Sequence, residues 1–432
     1  MSIVAVVSAG QLVTLMSASM TAAALPAISR DLGMDLGTTQ ISFSIYFLGL
    51  GFGPFVIAAL SEMYGRKPVW LACNAWYVVW NSLCPVASSA GLMISGRFLA
   101  GCGASAGITL TGPILADMYR ADERGKSFAV AGLLPYLGPA LGPIVGGAVS
   151  QTVRWQWLFW IMSSFDAAIA ILGAFVMAET YAPLLLRQCK IGEASDSAGR
   201  PVAFFPRLGR HLSRPLRLLC TRPVIQYISF IFALEFGVYC IMLSTFATMW
   251  MDRYHHTQSV SSLHYIAVAV GITVAGQIGG RLMDHLWKRL QRRANGSVRP
   301  EFRAPFLIPG VVLVPVGLLW YGWSAEGVLA WPVVDAGVSV FTLGATVVTQ
   351  GMLAYLLDEF EDESASANAA VRVLSNVFGF AFPIFAPQLY ERLGYGGGNS
   401  LLAAIFVLLG CPAPLVLWFF GRELRALGKG RG

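Results

Sequence analysis

Long apolar stretches alternate with short polar segments along almost the whole chain. A helix needs about 20 mostly apolar residues to cross the hydrocarbon core of a bilayer. Twelve stretches approach or exceed that length, and we predict membrane-spanning helices at residues 2–25, 39–60, 69–90, 92–116, 127–150, 155–178, 224–251, 261–278, 304–324, 331–357, 365–389 and 396–421. The longest polar segment, residues 179–222, separates the first six stretches from the last six.

The charge pattern of a polar turn between the second and third stretches returns in the second half of the chain. Each copy has an acidic residue followed four residues later by two basic ones. The first copy has Glu62, Arg66 and Lys67, with Gly65 before the basic pair, and the second has Asp284, Lys288 and Arg289. The 222-residue offset is close to half of the 432 residues, which predicts two related halves. We therefore predict an all-α membrane protein with a six-helix bundle in residues 1–180, a cytoplasmic linker in 181–222 and a second bundle in 223–432.

The composition fits a membrane protein and argues against other classes. Hydrophobic residues make up 56% of the chain and charged residues 12%, whereas a soluble domain carries about 25% charged residues. The first stretch lacks the basic segment that begins a signal peptide, so we interpret it as a retained helix. The 7 cysteines have no metal-binding spacing and predict neither a zinc site nor a disulfide framework.

The positions of the basic residues indicate the orientation. If the N-terminus is inside, 24 of the 30 lysines and arginines lie on the inner side, 4 on the outer side and 2 within spans. Inner loops of membrane proteins carry an excess of basic residues, so both termini are predicted to be cytoplasmic. The net charge of +7 is thus explained by topology, and we predict no nucleic-acid partner.

The first polar turn has the composition of a closure that can be made and broken. An acid such as Glu62 can lie at the positive N-terminus of a neighbouring helix, while Arg66 pairs with an acid at the inner end of the fourth stretch. Glycine permits the tight turn. We predict a gating loop that consists of Glu62, Gly65, Arg66, Lys67, Asp117 and, in the second half, Asp284. The alternative is a solvated loop with no gating role.

The fifth stretch combines glycines and prolines, each at a spacing of four residues. Glycines at this spacing form a smooth stripe that lets another helix approach closely. Each proline removes a backbone hydrogen bond and bends the helix. We predict a kinked helix at a hinge or sealed interface, formed by Gly138, Pro139, Gly142, Pro143, Gly146 and Gly147. A simple packing helix is the alternative.

Ionisable residues within the predicted spans are candidates for a proton or substrate pathway, because their burial in a bilayer is costly. The ionisable candidates are Arg97, Asp166, Glu235 and Arg372. Tyr239 joins them because it lies one helical turn after Glu235. A buried carboxyl group holds its proton more tightly, so Glu235 or Asp166 could exchange a proton near neutral pH. Either could instead be the structural partner of an arginine.

Energy sources other than an ion gradient find little support in the sequence. It contains no Walker-type phosphate loop, which argues against ATP, and no cluster typical of a catalytic site. We therefore predict no enzymatic activity, no metal and no cofactor. The predicted partners are a small-molecule substrate, protons and the lipid bilayer, and the predicted assembly is a monomer.

Several segments resemble a known family of membrane transporters. The chain resembles the major facilitator superfamily and, within it, the fungal twelve-spanner drug:proton antiporters. The resemblance rests on the loop at 60–68, Arg97-Phe98-Leu99-x-Gly101-x-Gly103, the glycine–proline segment 138–147, Glu179-Thr180-Tyr181-Ala182-Pro183, Pro300-Glu301-Phe302-Arg303, Tyr321-Gly322-Trp323 and the segment 365–372. Ala58 stands where the family motif usually has glycine, and Asp335 where a small residue is common.

This resemblance implies a fold and a function. The fold would be two pseudo-symmetric six-helix bundles around a central cavity, which alternately opens to each side of the membrane. The fifth-span motif would imply export coupled to proton entry, with Arg97 in the proton relay. The implied function is multidrug or secondary-metabolite efflux, from a position in the plasma membrane.

Other functions remain open from the sequence. An importer or uniporter of a small nutrient or polyamine would have the same helices. An integral-membrane enzyme would need several His, Asp or Glu residues at one membrane depth, and the acids here are scattered. A non-transporting sensor of the same superfamily usually carries a long cytoplasmic tail.

Overall fold

The computed structural model describes residues 2–86, 89–119, 131–132, 134–181, 184, 204–293, 299–360 and 364–429. These residues form helices and short connections, and no strand occurs among them. The helices of the first half are α1 (Ser2–Leu32), α2 (Leu36–Tyr64), α3 (Arg66–Leu83), α4 (Ala90–Met118), α5 (Gly138–Thr152) and α6 (Gln156–Val176).

A helix of the predicted linker precedes the second half. The helices that follow α6 are α7 (Phe204–Thr221), α8 (Pro223–Tyr254), α9 (Gln258–Leu263), α10 (Ile266–Arg293), α11 (Ala304–Glu326), α12 (Trp331–Glu359), α13 (Ser364–Leu409) and α14 (Ala413–Lys429). Short 3₁₀ turns occupy Cys84–Val86, Pro135–Leu137 and Pro300–Arg303. Helix α13 is two helices joined at a kink, because Gly394 has a non-helical backbone with φ 68° and ψ 176°.

Nine helical segments among the described residues are long and apolar enough to cross a membrane. One of them, Ser366–Leu427, covers both of the last two predicted stretches. The prediction of an all-α, multi-pass membrane protein is confirmed. Part of the fifth predicted span (127–150) and half of the linker (181–222) lie outside the described residues, so the count of twelve and the domain limits stay predictions.

Local chemistry explains the turn between α1 and α2. Gly33 has a positive φ of 60°, and Asp35 caps α2 by accepting hydrogen bonds from the backbone N–H groups of Gly37 (3.1 Å) and Thr38 (3.4 Å). Hydrogen bonds from Thr38 lower the pKa of the Asp35 carboxyl from its ordinary value. Consequently, α2 runs antiparallel to α1 and returns to the end of the bundle where α1 begins.

Helices α1 and α8 lie innermost in their halves. Both are buried along most of their length, whereas only 33% of α6 and 33% of the segment Gln258–Arg293, which includes α10, is buried. In the first half, α1 packs on α4, α5 and α6, and α2 packs on α4. In the second, α8 packs on α13, and α11 packs on α12 and α13. The halves meet where α2 contacts α13 and where α5 contacts α9 and α10.

The second copy of the charge pattern differs in structure from the first. Helix α10 runs without interruption through the segment at 280–289, so the second copy of the charge pattern lies on a helix and forms no tight turn. Gly65 breaks the first copy with a φ of 100°, and the equivalent residue in the second copy is Trp287. A tryptophan does not readily adopt that conformation. Asp284 is exposed on the continuous helix.

Candidate functional site

The turn between α2 and α3 depends on glycine at position 65. Its backbone has φ 100° and ψ 163°, a combination that residues with a side chain rarely adopt. The Gly65 N–H donates to the Ser61 carbonyl at 3.2 Å, which ends α2, and α3 begins at the next residue. A Cβ atom at Gly65 would overlap the carboxylate of Glu179. We call this end of the bundle the Gly65 end.

Glu179 occupies the N-terminus of α3. Its Oε1 accepts from the Arg66 N–H at 2.8 Å, and its Oε2 accepts from the Lys67 N–H at 3.2 Å. Oε1 also accepts from the N–H groups of Thr180 and Tyr181. A carboxylate at a helix N-terminus satisfies free N–H groups and interacts favourably with the helix dipole. Glu62 was the acid predicted for such a position, whereas the only sequence signal for Glu179 was the family motif at the end of the sixth stretch.

The side chains of Arg66 and Lys67 hold the turn against α4 and α6. Arg66 Nε lies 3.4 Å from Asp117 Oδ2, so the ion pair expected from the sequence is present. Arg66 Nη1 also donates to Ser61 Oγ at 2.6 Å, and its guanidinium lies 4.8 Å from the centre of the Tyr181 ring. Lys67 Nζ donates to the Ala174 carbonyl at 2.8 Å. These contacts connect the ends of α2, α3, α4 and α6.

A cavity of about 410 Å³ lies between the two halves and reaches the Gly65 end. It has an aromatic lining, to which the first half contributes Phe47 and Phe55 and the second half Phe236 and Tyr239. Phe47 and Phe236 meet edge to face across the halves, with ring centres 5.6 Å apart. The polar lining is formed by Ser19, Ser61, Glu62, Arg66, Ser105, Thr109, Asn368, Arg372 and Asn376.

Glu235 and Arg372 lie together beside this cavity. Glu235 is buried in α8, and its Oε2 accepts from Thr349 Oγ1 of α12 at 3.1 Å. Arg372 of α13 lines the cavity, and its guanidinium lies 5.7 Å from the centre of the Phe232 ring, which is one turn before Glu235 on α8. No ion pair within 4.0 Å joins Arg372 to Glu235 in the described structure. Tyr239 lines the cavity one helical turn from Glu235, and Tyr239 Oη is buried without a hydrogen-bond partner among the described residues.

Arg97 and Asp166 lie in the core of the first half, away from the cavity lining. Arg97 is fully buried, donates to the Ser17 carbonyl at 3.0 Å and lies 4.4 Å from the centre of the Tyr46 ring. Asp166 is 1% exposed, and its Oδ2 has no hydrogen-bond partner in the described part of the chain. The structure therefore separates the predicted pathway residues into two groups, one in each half.

The glycine stripe of α5 packs against α1. A Cβ atom at Gly142 would lie 2.6 Å from the Met16 carbonyl oxygen, and one at Gly138 would lie 2.7 Å from Leu15 Cβ. A Cβ atom at Gly146 would overlap the Met20 carbonyl oxygen. The helix begins after the 3₁₀ turn at Pro135–Leu137, with Pro139 in its first turn and Pro143 inside it. The predicted residues 127–130 of this span lie outside the described part.

The end opposite Gly65, which we call the Gln258 end, is closed by contacts between the halves. Gln258 Nε2 donates to the Ala23 carbonyl of α1, and the Ser259 N–H donates to Gln151 Oε1 at 2.9 Å. Gly147 of α5 faces α9, where a Cβ atom would overlap Ser262. Polar bonds and close backbone packing thus hold α9 of the second half against α1 and α5 of the first.

Comparison with known proteins places this arrangement in a family. The family model described as "Major Facilitator Superfamily" matches residues 7–383. The chain belongs to the Major Facilitator Superfamily. It is similar to the "Probable efflux pump mfs2" of Aspergillus flavus, with 37% identity over 94% of this chain and 98% of that protein. It is also similar to the "Efflux pump vrtL" of Penicillium aethiopicum, with 36% identity over 96% of this chain and 84% of that one.

Solved structures of the superfamily share its fold. The Escherichia coli xylose transporter XylE, in a partially occluded inward-open conformation, matches with a TM-score of 0.72 and 14% identity over 97% of both chains. The human organic anion transporter MFSD10 matches with a TM-score of 0.63 and 16% identity over 96% of this chain and 99% of that one. The predicted family and the major facilitator fold are confirmed.

In this superfamily member, Glu179→Ala is expected to destabilise the Gly65 turn. The substitution leaves the Arg66 and Lys67 N–H groups without their carboxylate, and loss of a helix cap costs about 0.5–2 kcal/mol. We expect a lower midpoint of thermal unfolding in detergent, with a smaller loss for Glu179→Gln, which keeps one acceptor oxygen. The matched control is Glu391→Ala, since Glu391 is exposed. Equal unfolding midpoints for Glu179→Ala and that control would contradict the capping role.

Proposed function

We propose that this protein is a proton-coupled secondary transporter that exports small organic compounds by alternating access. The observation that carries the proposal is the central cavity. It is lined by both halves and reaches the Gly65 end, while the Gln258 end is closed by Gln258, Ser259 and Gly147. This geometry is what a carrier open toward one side would have. Relatives named as efflux pumps support export as the direction.

The gating loop is proposed to stabilise the opposite state, in which the Gly65 end is closed. Arg66 is the central residue, because it contacts Asp117 and Ser61 and also lines the cavity. These are single, partly exposed contacts, and exposed ion pairs contribute about 0–1 kcal/mol each. Contacts this weak, all within the first half in this state, can be exchanged for contacts with the second half when the Gly65 end closes. In the predicted orientation, with the protein in the plasma membrane, the Gly65 end faces the cytoplasm.

Glu235 is proposed as the proton-carrying group. It is buried in α8 near the aromatic cavity wall, and the Arg372 guanidinium approaches α8 one turn away, 5.7 Å from the centre of the Phe232 ring. A carboxyl group in this position can be neutral when protonated or interact with Arg372 when ionised. The proton gradient would then supply the energy, with no cofactor.

The cavity lining supports a substrate with an aromatic or aliphatic body and a polar group. Phe47, Phe55 and Phe236 offer apolar contact, while Asn368 and Arg372 offer hydrogen-bond donors at the α13 wall. A few polar groups in an apolar pocket orient a ligand without demanding one particular shape. We therefore propose amphipathic compounds, such as drugs, toxins or secondary metabolites, as the substrate class.

Transport into inside-out membrane vesicles tests this proposal. Vesicles that contain the protein, and matched vesicles without it, receive an inwardly acidic pH gradient and a panel of fluorescent amphipathic compounds. We expect accumulation that requires the protein and the gradient and disappears with a protonophore. Equilibration that ignores the gradient would instead identify a facilitator of a nutrient or other solute. No movement of any compound on the panel would contradict the proposed substrate class.

A further inference from the structure

A second cavity lies on the outer surface of the second half, away from the transport pathway. It has a volume of about 710 Å³ and lies between the Pro300–Arg303 turn and α14. Its charged lining includes Arg299, Arg422 and Arg425 together with Glu301. Its apolar lining includes Phe302, Trp418 and Phe419. A concave site that combines guanidinium groups with aromatic rings can bind an anion that carries an apolar part.

The charges of this cavity are only partly balanced within the protein. Arg425 donates to Glu301 and, at 2.9 Å, to Glu359, so its charge is neutralised by two carboxylates. Arg299 and Arg422 are exposed, and neither has an ion-pair partner among the residues that the structure describes. Two guanidinium groups in one cavity therefore remain available, and guanidinium groups bind phosphate well.

The aromatic side of the cavity continues onto a surface that faces the bilayer. On α14, Leu415, Phe419 and Phe420 are 60%, 67% and 53% exposed, which for a membrane-spanning helix means contact with lipid chains. Phe302 and Trp418 pack together with ring centres 6.4 Å apart. Arg422 follows this apolar stretch directly. Aromatic and basic residues in this order mark the level at which hydrocarbon gives way to lipid headgroups.

We propose that this cavity binds an anionic phospholipid of the leaflet at the Gly65 end. Arg299 and Arg422 contact its headgroup phosphate, and one acyl chain lies along Trp418 and Phe419. The apolar wall favours a lipid over free phosphate, and the unbalanced positive charge favours an anionic lipid over a zwitterionic one. The predicted orientation makes this the cytoplasmic leaflet, where anionic lipids are concentrated. The inference does not depend on the transport function.

Native mass spectrometry of the full chain in detergent, with titrated lipid, tests the site. The probes are phosphatidylserine and phosphatidylcholine with the same acyl chains, and inorganic phosphate as a competitor. We expect tighter binding of phosphatidylserine and no displacement by phosphate. The double variant Arg299→Gln/Arg422→Gln is expected to lose about thirtyfold in affinity for phosphatidylserine, since each basic residue near a lipid surface contributes about 1 kcal/mol.

Two further variants keep the test specific. Arg289→Gln/Arg292→Gln removes the same charge from exposed positions on α10 and is expected to bind phosphatidylserine like the wild type. Phe419→Ala is expected to weaken both lipids while it preserves the preference for phosphatidylserine. The proposal is overturned if the α10 variant loses as much affinity as the cavity variant, if the wild type shows no preference, or if phosphate displaces the lipid.

Discussion

Glu235→Gln is expected to abolish the dependence of transport on the proton gradient while the substrate still crosses the membrane. Exchange of one proton for one substrate lets a gradient of one pH unit support about tenfold accumulation, because one unit corresponds to about 1.4 kcal/mol. In the variant, the ratio of inside to outside substrate is expected to stay near one. The measurement is steady-state accumulation in inside-out vesicles at several imposed gradients.

The structure explains why this single oxygen-to-nitrogen change should act on coupling. Glutamine keeps the shape of the side chain and can still accept from Thr349 Oγ1, which lies 3.1 Å from Glu235 Oε2. It cannot carry a proton or a negative charge. The site beside Arg372 is therefore fixed in a neutral state, and the electrostatic difference between the protonated and ionised forms disappears. Packing is preserved, so the fold should be unaffected.

Asp166→Asn distinguishes Glu235 from the rival carboxylate of the first half. Asp166 is also buried, but no residue of its helix α6 lines the cavity, whereas α8, which carries Glu235, contributes Phe236 and Tyr239 to the lining. The variant is therefore expected to keep gradient-driven accumulation. The opposite pattern, with coupling lost in Asp166→Asn and kept in Glu235→Gln, would transfer the proton site to α6. Normal expression and unfolding midpoints in both variants are needed for the comparison.

The fold was predictable because the strongest signals in the sequence are physical requirements of the bilayer. Length and continuity of apolar stretches identify helices even when individual residues do not. Gly65 was predictable for a similar reason, since only glycine readily adopts its backbone conformation. Where the repeat has Trp287 instead of glycine, the charge pattern returns but the structure has a helix. Charge spacing alone does not break a helix.

The candidate site was less predictable, because its contacts join residues that are far apart in the chain. Glu179 is 113 residues from Arg66, and its position at the start of α3 follows from how α6 packs on α3. The family motif at 179–183 was the available signal. Likewise, the spacing of Gly146 and Gly147 showed a smooth surface but could not show that adjacent glycines face different halves.

Alanine at Gly146 and at Gly147 is expected to have different effects, although the chemical change is the same. Gly146 faces α1 within the first half, where a Cβ atom would overlap the Met20 carbonyl oxygen. Overpacking of this kind costs about 1–3 kcal/mol. Because both helices belong to one half in all states, Gly146→Ala is expected to lower the midpoint of thermal unfolding and reduce transport in proportion to the loss of folded protein.

Gly147→Ala is expected to open the Gln258 end and leave the unfolding midpoint nearly unchanged. The added Cβ overlaps Ser262 of α9, across the interface between the halves, and lies 2.9 Å from the Gln258 carbonyl oxygen. A destabilisation of about 1–3 kcal/mol that acts only on the closed state changes the ratio of closed to open protein by about 5- to 150-fold. Hydrogen exchange at the Ser259 amide, which donates to Gln151, should become faster.

Gly280→Ala is the control for both substitutions. Gly280 lies inside α10, and a Cβ atom there has no neighbour within 4 Å. Alanine should be neutral or slightly stabilising at this position, since it lowers the entropy of the unfolded chain. Faster exchange at Ser259 in Gly146→Ala as well would show that α1 and α5 move together with α9. Gly146 and Gly147 would then affect the same motion. The proposed division, with Gly146 acting on stability and Gly147 on opening of the Gln258 end, would be wrong.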